Sequence, residues 1–111
     1  MRICCTVSKR YEGDYQPYWY AYHSKWDAFL SEGEGFLILC CMDLDSAFAV
    51  PQSWFAENRI NLNMTEKPDG GSYWHVPLTT LPDGSIAVNL SKVGRKYSLE
   101  PYSFALRHKQ A

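Results

Sequence analysis

Two segments of this sequence place a histidine at the end of a run of aromatic residues. The first runs from Tyr18 to His23 and the second from Tyr73 to His75. Aromatic side chains stack on flat ligands such as nucleobases, and each stacked base contributes about 1–3 kcal/mol to binding. If both segments lie in one sheet, we expect one of its faces to form a stacking platform. The candidate ligand-binding residues are Tyr18, Trp19, Tyr20, Tyr22, His23, Tyr73, Trp74 and His75.

The same aromatic residues also have a purely structural interpretation. The 111-residue chain contains four Trp, eight Tyr and five Phe, and such large rings can simply fill the layer between a small sheet and its helices. Strand periodicity divides the first segment between two faces, with Tyr18, Tyr20 and Tyr22 on one and Trp19, Ala21 and His23 on the other. The ligand-binding hypothesis requires one of these faces to be open to solvent.

His23 and His75 could instead carry chemistry, because an imidazole titrates near neutral pH and can act as a general base or a metal ligand. Asp43 and Asp45 lie in one predicted turn and offer the oxygen ligands that hard cations prefer. A metal-assisted phosphodiesterase that combines these groups is therefore an alternative hypothesis. The aspartates equally suit a tight turn, in which they bond to their own backbone. We predict neither a bound metal nor a cofactor.

Positive charge occurs in local clusters and not as an overall excess. Eleven Lys and Arg stand against twelve Asp and Glu, for a formal net charge of −1, so binding to nucleic acid would need a local patch. Clusters that converge near strand ends could hold a phosphate backbone, whereas isolated ones would be ordinary solvated loop charges. The candidate nucleic-acid-binding residues are Lys9, Arg10, Lys92, Arg95 and Lys96.

A small α+β domain must position these side chains. We expect one domain over residues 1–111, with a mostly antiparallel sheet of about five to seven strands and two short helices. The predicted strands cover residues 2–8, 18–23, 36–42, 47–50, 73–76 and 86–90, with a further edge strand in the tail. The predicted helices run from Ser24 to a stop at Gly33 and from Gln52 to about Asn61.

Several packing features follow from these elements. Ser24 is predicted to cap the first helix, with Asp27 in the capping-box position. The apolar run from Phe36 to Met42 predicts a central strand covered on both faces. Trp26, Phe29 and Leu30 in the first helix, and Trp54, Phe55 and Ile60 in the second, are expected to face the core.

The four cysteines form two adjacent pairs, Cys4-Cys5 and Cys40-Cys41. Neighbours in a strand point to opposite faces, so neither pair can converge on one metal ion, and we expect reduced core cysteines. The N-terminus lacks the apolar stretch of a signal peptide, and no run approaches the ~20 residues of a membrane span. We therefore expect a cytoplasmic protein without a membrane partner, while the oligomeric state stays open.

The segment from Gly35 to Pro51, GFLILCCMDLDSAFAVP, resembles a strand-turn-strand of nucleases in the restriction-endonuclease-like superfamily, which ends in a Val-Pro or Ile-Pro step. The resemblance implies a DNA-associated role. The superfamily's catalytic carboxylate followed by Glu-x-Lys is absent, so no catalytic residue is carried over. The whole chain also resembles small bacterial or phage proteins with the same Tyr-Trp-Tyr-Ala and Tyr-Trp-His segments.

Three functional hypotheses result. The first is a non-catalytic recognition module, an accessory or specificity domain of a DNA-processing or defence system, which binds nucleic acid through the aromatic face and the basic loops. The second is the metal-assisted phosphodiesterase. The third is an interaction or assembly protein whose exposed Tyr and Trp anchor a protein partner.

Overall fold

A computed structural model describes residues 1–8, 17–41 and 45–105 of the chain. This part of the chain contains two α-helices, nine strands and three short 3₁₀ turns. The elements are β1 (Arg2–Ser8), β2 (Tyr18–His23), α1 (Ser24–Ser31), β3 (Gly35–Cys41), β4 (Ser46–Pro51), α2 (Gln52–Asn58), β5 (Met64–Glu66), β6 (Ser72–Thr80), β7 (Ile86–Leu90), β8 (Arg95–Ser98) and β9 (Ser103–Ala105).

The strands form two sheets. One has the order β1-β3-β4-β9 and the other β2-β6-β7-β8, with β5 paired to β6. Among the described strands, β1 and β3 are the one parallel pair, and the other pairs are antiparallel. The α+β class, the mostly antiparallel pairing and the two short helices are therefore confirmed. The strand count is higher than predicted, and the strands divide between two sheets.

The additional strands come from segments too short or too polar to show a clear period. β5 is only three residues long and was predicted as loop. The tail was predicted as one edge strand, but it contains two, because the 3₁₀ turn Glu100–Tyr102 interrupts it at Pro101. β8 joins β7 in the five-stranded sheet and β9 joins β4 in the four-stranded sheet, so the tail connects the two sheets.

The core lies between the inner faces of the two sheets, and the helices supply further apolar side chains to it. Burial alternates along β2 and β3, as a strand with one covered face requires. The largest fully buried side chains are Tyr18, Tyr20, Tyr22, Phe55, Leu30, Leu37, Leu39, Leu78, Leu90, Leu99, Val50 and Val76.

Two buried tyrosine hydroxyls tie the elements together. Tyr20 Oη donates to the Cys40 carbonyl at 2.8 Å and lies 3.3 Å from Cys41 Sγ, which links the two sheets. Tyr22 Oη donates to Asp27 Oδ1 at 2.8 Å, which links β2 to α1. Burial, reinforced by these hydrogen bonds, raises the pKa of Tyr20 and of Tyr22 far above that of free tyrosine. Both hydroxyls therefore keep their protons and remain donors.

Asp27 does not cap α1. Its buried carboxylate accepts hydrogen bonds from Tyr22 and from Gln52 Nε2 at 3.1 Å, and it forms an ion pair with Arg59. The residue before the helix is His23, and it provides no side-chain cap. Because β2 continues directly into α1, Ser24 is already helical, so the predicted capping box cannot form.

In each helix, only some of the apolar residues predicted to face the core are buried. Leu30, Trp54 and Phe55 lie in the core, whereas Phe29 is 43% exposed and Ile60 79% exposed. Ile60 points away because α2 ends at Asn58 and the chain tightens into a 3₁₀ turn over Arg59–Asn61. Phe29 instead packs under the Arg2 guanidinium, with Arg2 Cζ 4.6 Å from the centroid of the Phe29 ring.

β3 is internal to its sheet, as predicted, but only one of its faces is fully buried. Leu37 and Leu39 are fully buried, while Phe36, Ile38 and Cys40 on the other face are partly exposed. Cys5 on the neighbouring strand is exposed as well, so the prediction that all four cysteines lie in the core is wrong. Among the described elements, both helices contribute their buried residues to the inner side, so neither of them covers the second face.

Replacing Asp27 by Ala should lower the free energy of unfolding by about 2–3 kcal/mol, because the fully buried Tyr22 hydroxyl loses its acceptor. Arg59 is 43% exposed and can turn to water, so its lost partner adds little. Urea unfolding followed by circular dichroism measures the change.

Glu57→Ala, an exposed site in the neighbouring helix, is the matched control and should change stability by no more than about 0.5 kcal/mol. Equal effects of the two substitutions would show that the Tyr22–Asp27 hydrogen bond contributes nothing specific.

Candidate functional site

The predicted platform residues divide between the two faces of the five-stranded sheet. Tyr18, Tyr20 and Tyr22 are at most 2% exposed, so they belong to the core and cannot contact a ligand on the sheet surface. Trp74 also faces inward, with its ring 5.8 Å from that of Tyr22. This corrects the predicted site for the three tyrosines, whereas Trp74 is half-buried on the inner side. The physical reason is that sheet pleating turns alternate residues of β2 and β6 toward the core.

The outer face of the same sheet carries the remaining predicted aromatics. In the antiparallel register of β2 and β6, Trp19 pairs with Pro77, Ala21 with His75, and His23 with Tyr73. Trp26, in the first turn of α1, adds its ring beside that of His23. We call the resulting set the aromatic-histidine face: Trp19, His23, Trp26, Tyr73 and His75, each of them partly exposed.

The rings of the aromatic-histidine face contact one another in a continuous chain. Trp19 meets Tyr73 and His75 edge to face, with centroids 6.2 and 5.3 Å apart. Tyr73 and His75 are stacked at 5.4 Å. His23 lies 4.6 Å from Trp26 and 5.7 Å from Tyr73. These mutual contacts hold the rings in place, so a flat ligand would meet a surface that is already organised.

β5 fixes the position of His75. Thr65 Oγ1 and His75 Nε2 are 2.7 Å apart and share a hydrogen bond, and the His75 amide donates to the Asn63 carbonyl at 2.8 Å. Thr65 was not predicted as a site residue, because its three-residue strand carries no readable period.

A recess with two lysines in its wall adjoins the aromatic-histidine face. The recess has a volume of about 210 Å³, and a neighbouring depression of about 260 Å³ shares both lysines. The first is lined by His23, Ser24, Lys25, Trp26, Lys67, Gly71 and Ser72. Sequence reasoning missed Lys25 and Lys67, because they are 42 positions apart and only the fold brings them together.

The charge of this recess is net positive. Among the described residues neither Lys25 nor Lys67 forms an ion pair, and the acid that lines the neighbouring depression is Asp69. Asp69 Oδ1 accepts a hydrogen bond from the Gly71 amide, and together with Lys67 this bond lowers the pKa of Asp69. Two lysines against one carboxylate leave a positive charge available to an anion.

His23 connects the rings to the lysines. Partial burial, together with the positive charges of Lys67 and Lys25, lowers the pKa of His23 below its ordinary value of 6.5. The imidazole is therefore neutral at pH 7. An anion bound in the recess would offset the two lysines and raise this pKa again.

The predicted basic residues that the structure describes do not share one face of the sheet. Lys9 and Arg10 lie outside the described residues. Lys92 lies in the 3₁₀ turn Ser91–Val93, and Arg95 and Lys96 alternate across β8. Lys96 pairs with Asn89 and points to the same side as the aromatic-histidine face, whereas Arg95 lies over the Tyr97 ring at 5.7 Å.

The fold also places the two histidines of the predicted phosphodiesterase site on a different sheet from Asp45. Asp43 lies outside the described residues, and Asp45 precedes β4 in the four-stranded sheet, while both histidines lie on the five-stranded sheet. In the described ranges no three His, Cys, Asp or Glu side chains are grouped so that they could hold a metal ion. Within the same ranges neither helix has the length and apolar character needed to cross a bilayer.

Comparison with known proteins gives no relative from which a function could be inferred. No protein-family model matches the chain, and no curated protein or solved structure matches it.

Replacing Lys67 by Met should raise the pKa of His23, because it removes one of the two charges that oppose protonation. In the wild-type protein the pKa of His23 lies below the 6.5 of an unfolded chain. As the pH falls, the unfolded state therefore binds the proton before the folded state does. The stability that neutral His23 provides is therefore lost as pH falls below 6.5. NMR titration of the imidazole Hε1 resonance, assigned with His23→Gln, measures both effects.

Lys92→Met is the matched control, since Lys92 is exposed in a turn and does not act on His23. A wild-type pKa above 6.5, or the same titration curve in the Lys67 variant and the wild type, would contradict this description of the recess.

Proposed function

We propose that this chain is a non-catalytic recognition module that binds single-stranded nucleic acid on the aromatic-histidine face. The observation that carries the proposal is the juxtaposition of this face with the recess lined by Lys25 and Lys67. A nucleotide presents the complementary pair of groups, a flat base and an anionic phosphate. Proteins that bind single strands commonly combine stacking rings with basic side chains in this way.

The bases would stack on the exposed parts of Trp19, Tyr73 and Trp26. These rings are held by contacts with each other and with the two histidines, so little ordering is needed on binding. Neutral His23 can hydrogen-bond to a base edge or, once protonated, to a phosphate oxygen.

The phosphate would lie in the recess, between Lys25 and Lys67. Neither lysine has an ion-pair partner in the described part of the chain, so binding would not require an existing pair to break. Lys96 on the same side of the sheet could contact the strand where it leaves the face. A formal net charge of −1 means that the attraction is local to these lysines.

A single strand fits this surface better than a duplex. Stacking on a protein ring requires a base that is free of its own neighbours, which an intact duplex does not provide. The resemblance of residues 35–51 to nucleases of the restriction-endonuclease-like superfamily supports a role in DNA processing or defence. Within that role we assign recognition and no cleavage step to this chain.

Trp19→Ala should weaken binding of a short single-stranded oligonucleotide about tenfold or more, because it removes one stacking ring. Lys67→Ala should weaken binding and lower the slope of log K against log salt by about 0.7, the value for one lost phosphate contact to a single strand. Fluorescence anisotropy with a labelled oligonucleotide at several salt concentrations measures both quantities.

Two controls test the location of the site. Tyr97→Ala removes an exposed ring on the opposite side of the sheet, where Tyr97 packs on Trp54. Lys92→Ala removes an exposed lysine of the 3₁₀ turn after β7, which lines neither the recess nor the neighbouring depression. Both should leave binding unchanged, provided that circular dichroism shows the fold intact. The absence of salt-dependent binding, tighter binding to duplex, or equal losses in controls and test variants would each overturn the proposal.

A further inference from the structure

The recess beside the aromatic-histidine face lies at one end of the row of rings. His23 is the last residue of β2 and Ser72 the first of β6, so both paired strands end at this point. The ring contacts run from Trp19 through Tyr73 and His23 to Trp26, which itself lines the recess. A single strand stacked along the rings therefore meets the recess where the row ends.

The turn between β5 and β6 forms part of the recess wall and holds Lys67 there. The Lys67 amide donates to the Gly71 carbonyl at 2.7 Å, and the Gly70 amide donates to the Lys67 carbonyl at 3.0 Å. The Lys67 side chain folds back over Gly71, since a Cβ on this glycine would lie 3.7 Å from Lys67 Nζ. Lys67 is accordingly half-buried, whereas Lys25 in the first turn of α1 is exposed. The fold thus places the Lys67 ammonium at the recess.

Hydroxyl groups add further hydrogen-bond donors to the recess. Ser24 and Ser72 both line it, and in the described ranges neither hydroxyl has a hydrogen-bond partner. A hydroxyl donates one hydrogen bond, an ammonium donates three, and a neutral imidazole such as that of His23 donates one. None of the described residues that line the recess is acidic. The recess therefore combines two positive charges with several free donors.

These donors and charges exceed what a phosphate inside a strand can use. A phosphodiester carries one negative charge and has two free oxygens. A phosphate monoester has three free oxygens and a charge between about −1.5 and −2 at pH 7. Because the additional charge can pair with the second lysine, the recess favours a monoester over a diester.

The size of the recess suits one phosphate group. Its volume of about 210 Å³ equals that of about seven water molecules at about 30 Å³ each. Pockets that enclose whole small-molecule ligands are larger, at about 300–1,000 Å³. The recess thus has room for a phosphate and a few waters, while the attached base lies outside it on the rings.

Asp69 opposes a strand that continues past the recess. It lines the neighbouring depression, where the Gly71 amide and the charge of Lys67 lower the pKa of its carboxyl. The carboxylate is therefore ionised at neutral pH and would repel the next phosphate of a continuing strand. A strand that ends in the recess avoids this repulsion.

We propose that the recess selects a phosphate monoester, so that the single strand on the aromatic-histidine face is bound by a phosphorylated end. The inference rests on the proposed function, because the rings must hold the strand. The terminal phosphate would lie between Lys25 and Lys67, and the first base beside Trp26. A strand with hydroxyl ends would keep its contacts with the rings and lose part of those with the lysines.

Isothermal titration calorimetry tests the end preference with one short unlabelled single-stranded sequence, which carries a phosphate at its 5′ end, a phosphate at its 3′ end, or no terminal phosphate. One phosphorylated form should bind about tenfold tighter than the hydroxyl form, because it gains a charge-assisted contact. Lys67→Ala should abolish this ratio. Trp19→Ala should weaken binding of all forms and leave the ratio unchanged, and Lys92→Ala is the control that should alter neither.

Methyl phosphate and dimethyl phosphate test the recess without the rings, since they are the smallest monoester and diester. Methyl phosphate at about 1–50 mM should shift the amide NMR resonances of Lys25, Gly71 and Ser72 until they saturate, as expected for a millimolar dissociation constant. Dimethyl phosphate at the same ionic strength should not. Lys67→Ala should lose the response to methyl phosphate, and Lys92→Ala should retain it.

The results distinguish failure of this inference from failure of the proposed function. Equal affinity for all strand forms, together with weaker binding by Trp19→Ala, would overturn the end preference alone. A hydroxyl-ended strand one nucleotide longer that gains as much affinity as the phosphorylated form would overturn it too, as would equal responses to the two small phosphates. If no strand binds, the proposed function and the strand-end inference both fail.

Discussion

The hydroxyl groups of Tyr20 and Tyr22 end inside the protein, one on the Cys40 carbonyl of the four-stranded sheet and the other on the Asp27 carboxylate of α1. Each hydroxyl needs a partner at this depth, because an unpaired buried donor costs about 1–3 kcal/mol. These two hydrogen bonds therefore fix the distance between the sheets and the position of α1. The inner face of β2 is set by them, and the alternation of the strand then sets its outer face.

The aromatic-histidine face follows from that orientation. With the β2 tyrosines inward, Trp19 and His23 must point outward, and the register with β6 brings Tyr73 and His75 beside them. The direct passage from β2 into α1 places Lys25 two residues after His23, and the turn after β5 supplies Lys67. The proposed site for flat anionic ligands therefore lies at the edge of the core, beside the two lysines of the recess.

The two outer surfaces of the molecule differ in chemistry because the two sheets present different residues at their solvent-facing positions. The five-stranded sheet alternates buried tyrosine with half-buried rings and imidazoles, and basic side chains lie beside it. The four-stranded sheet shows only apolar side chains on its described outer positions.

Local pattern determined much of the fold. The periods of residues 2–8, 18–23 and 86–90 predict their strands, and the position of Pro51 predicts the change from strand to helix. Such features depend on neighbouring residues only, so the sequence is sufficient to read them. The division of β2 into a tyrosine face and a Trp19/His23 face was likewise determined by the sequence.

Only the tertiary structure decided which of these faces is buried, because periodicity separates two faces without saying which of them another element will cover. The same limit explains β3, whose apolar run predicted two covered faces although the helices pack on one. Lys25 and Lys67 meet through a pairing of β2, β5 and β6 that no local pattern records. The sequence thus determined the candidate rings, and long-range strand pairing decided which of them reach solvent and which charges lie beside them.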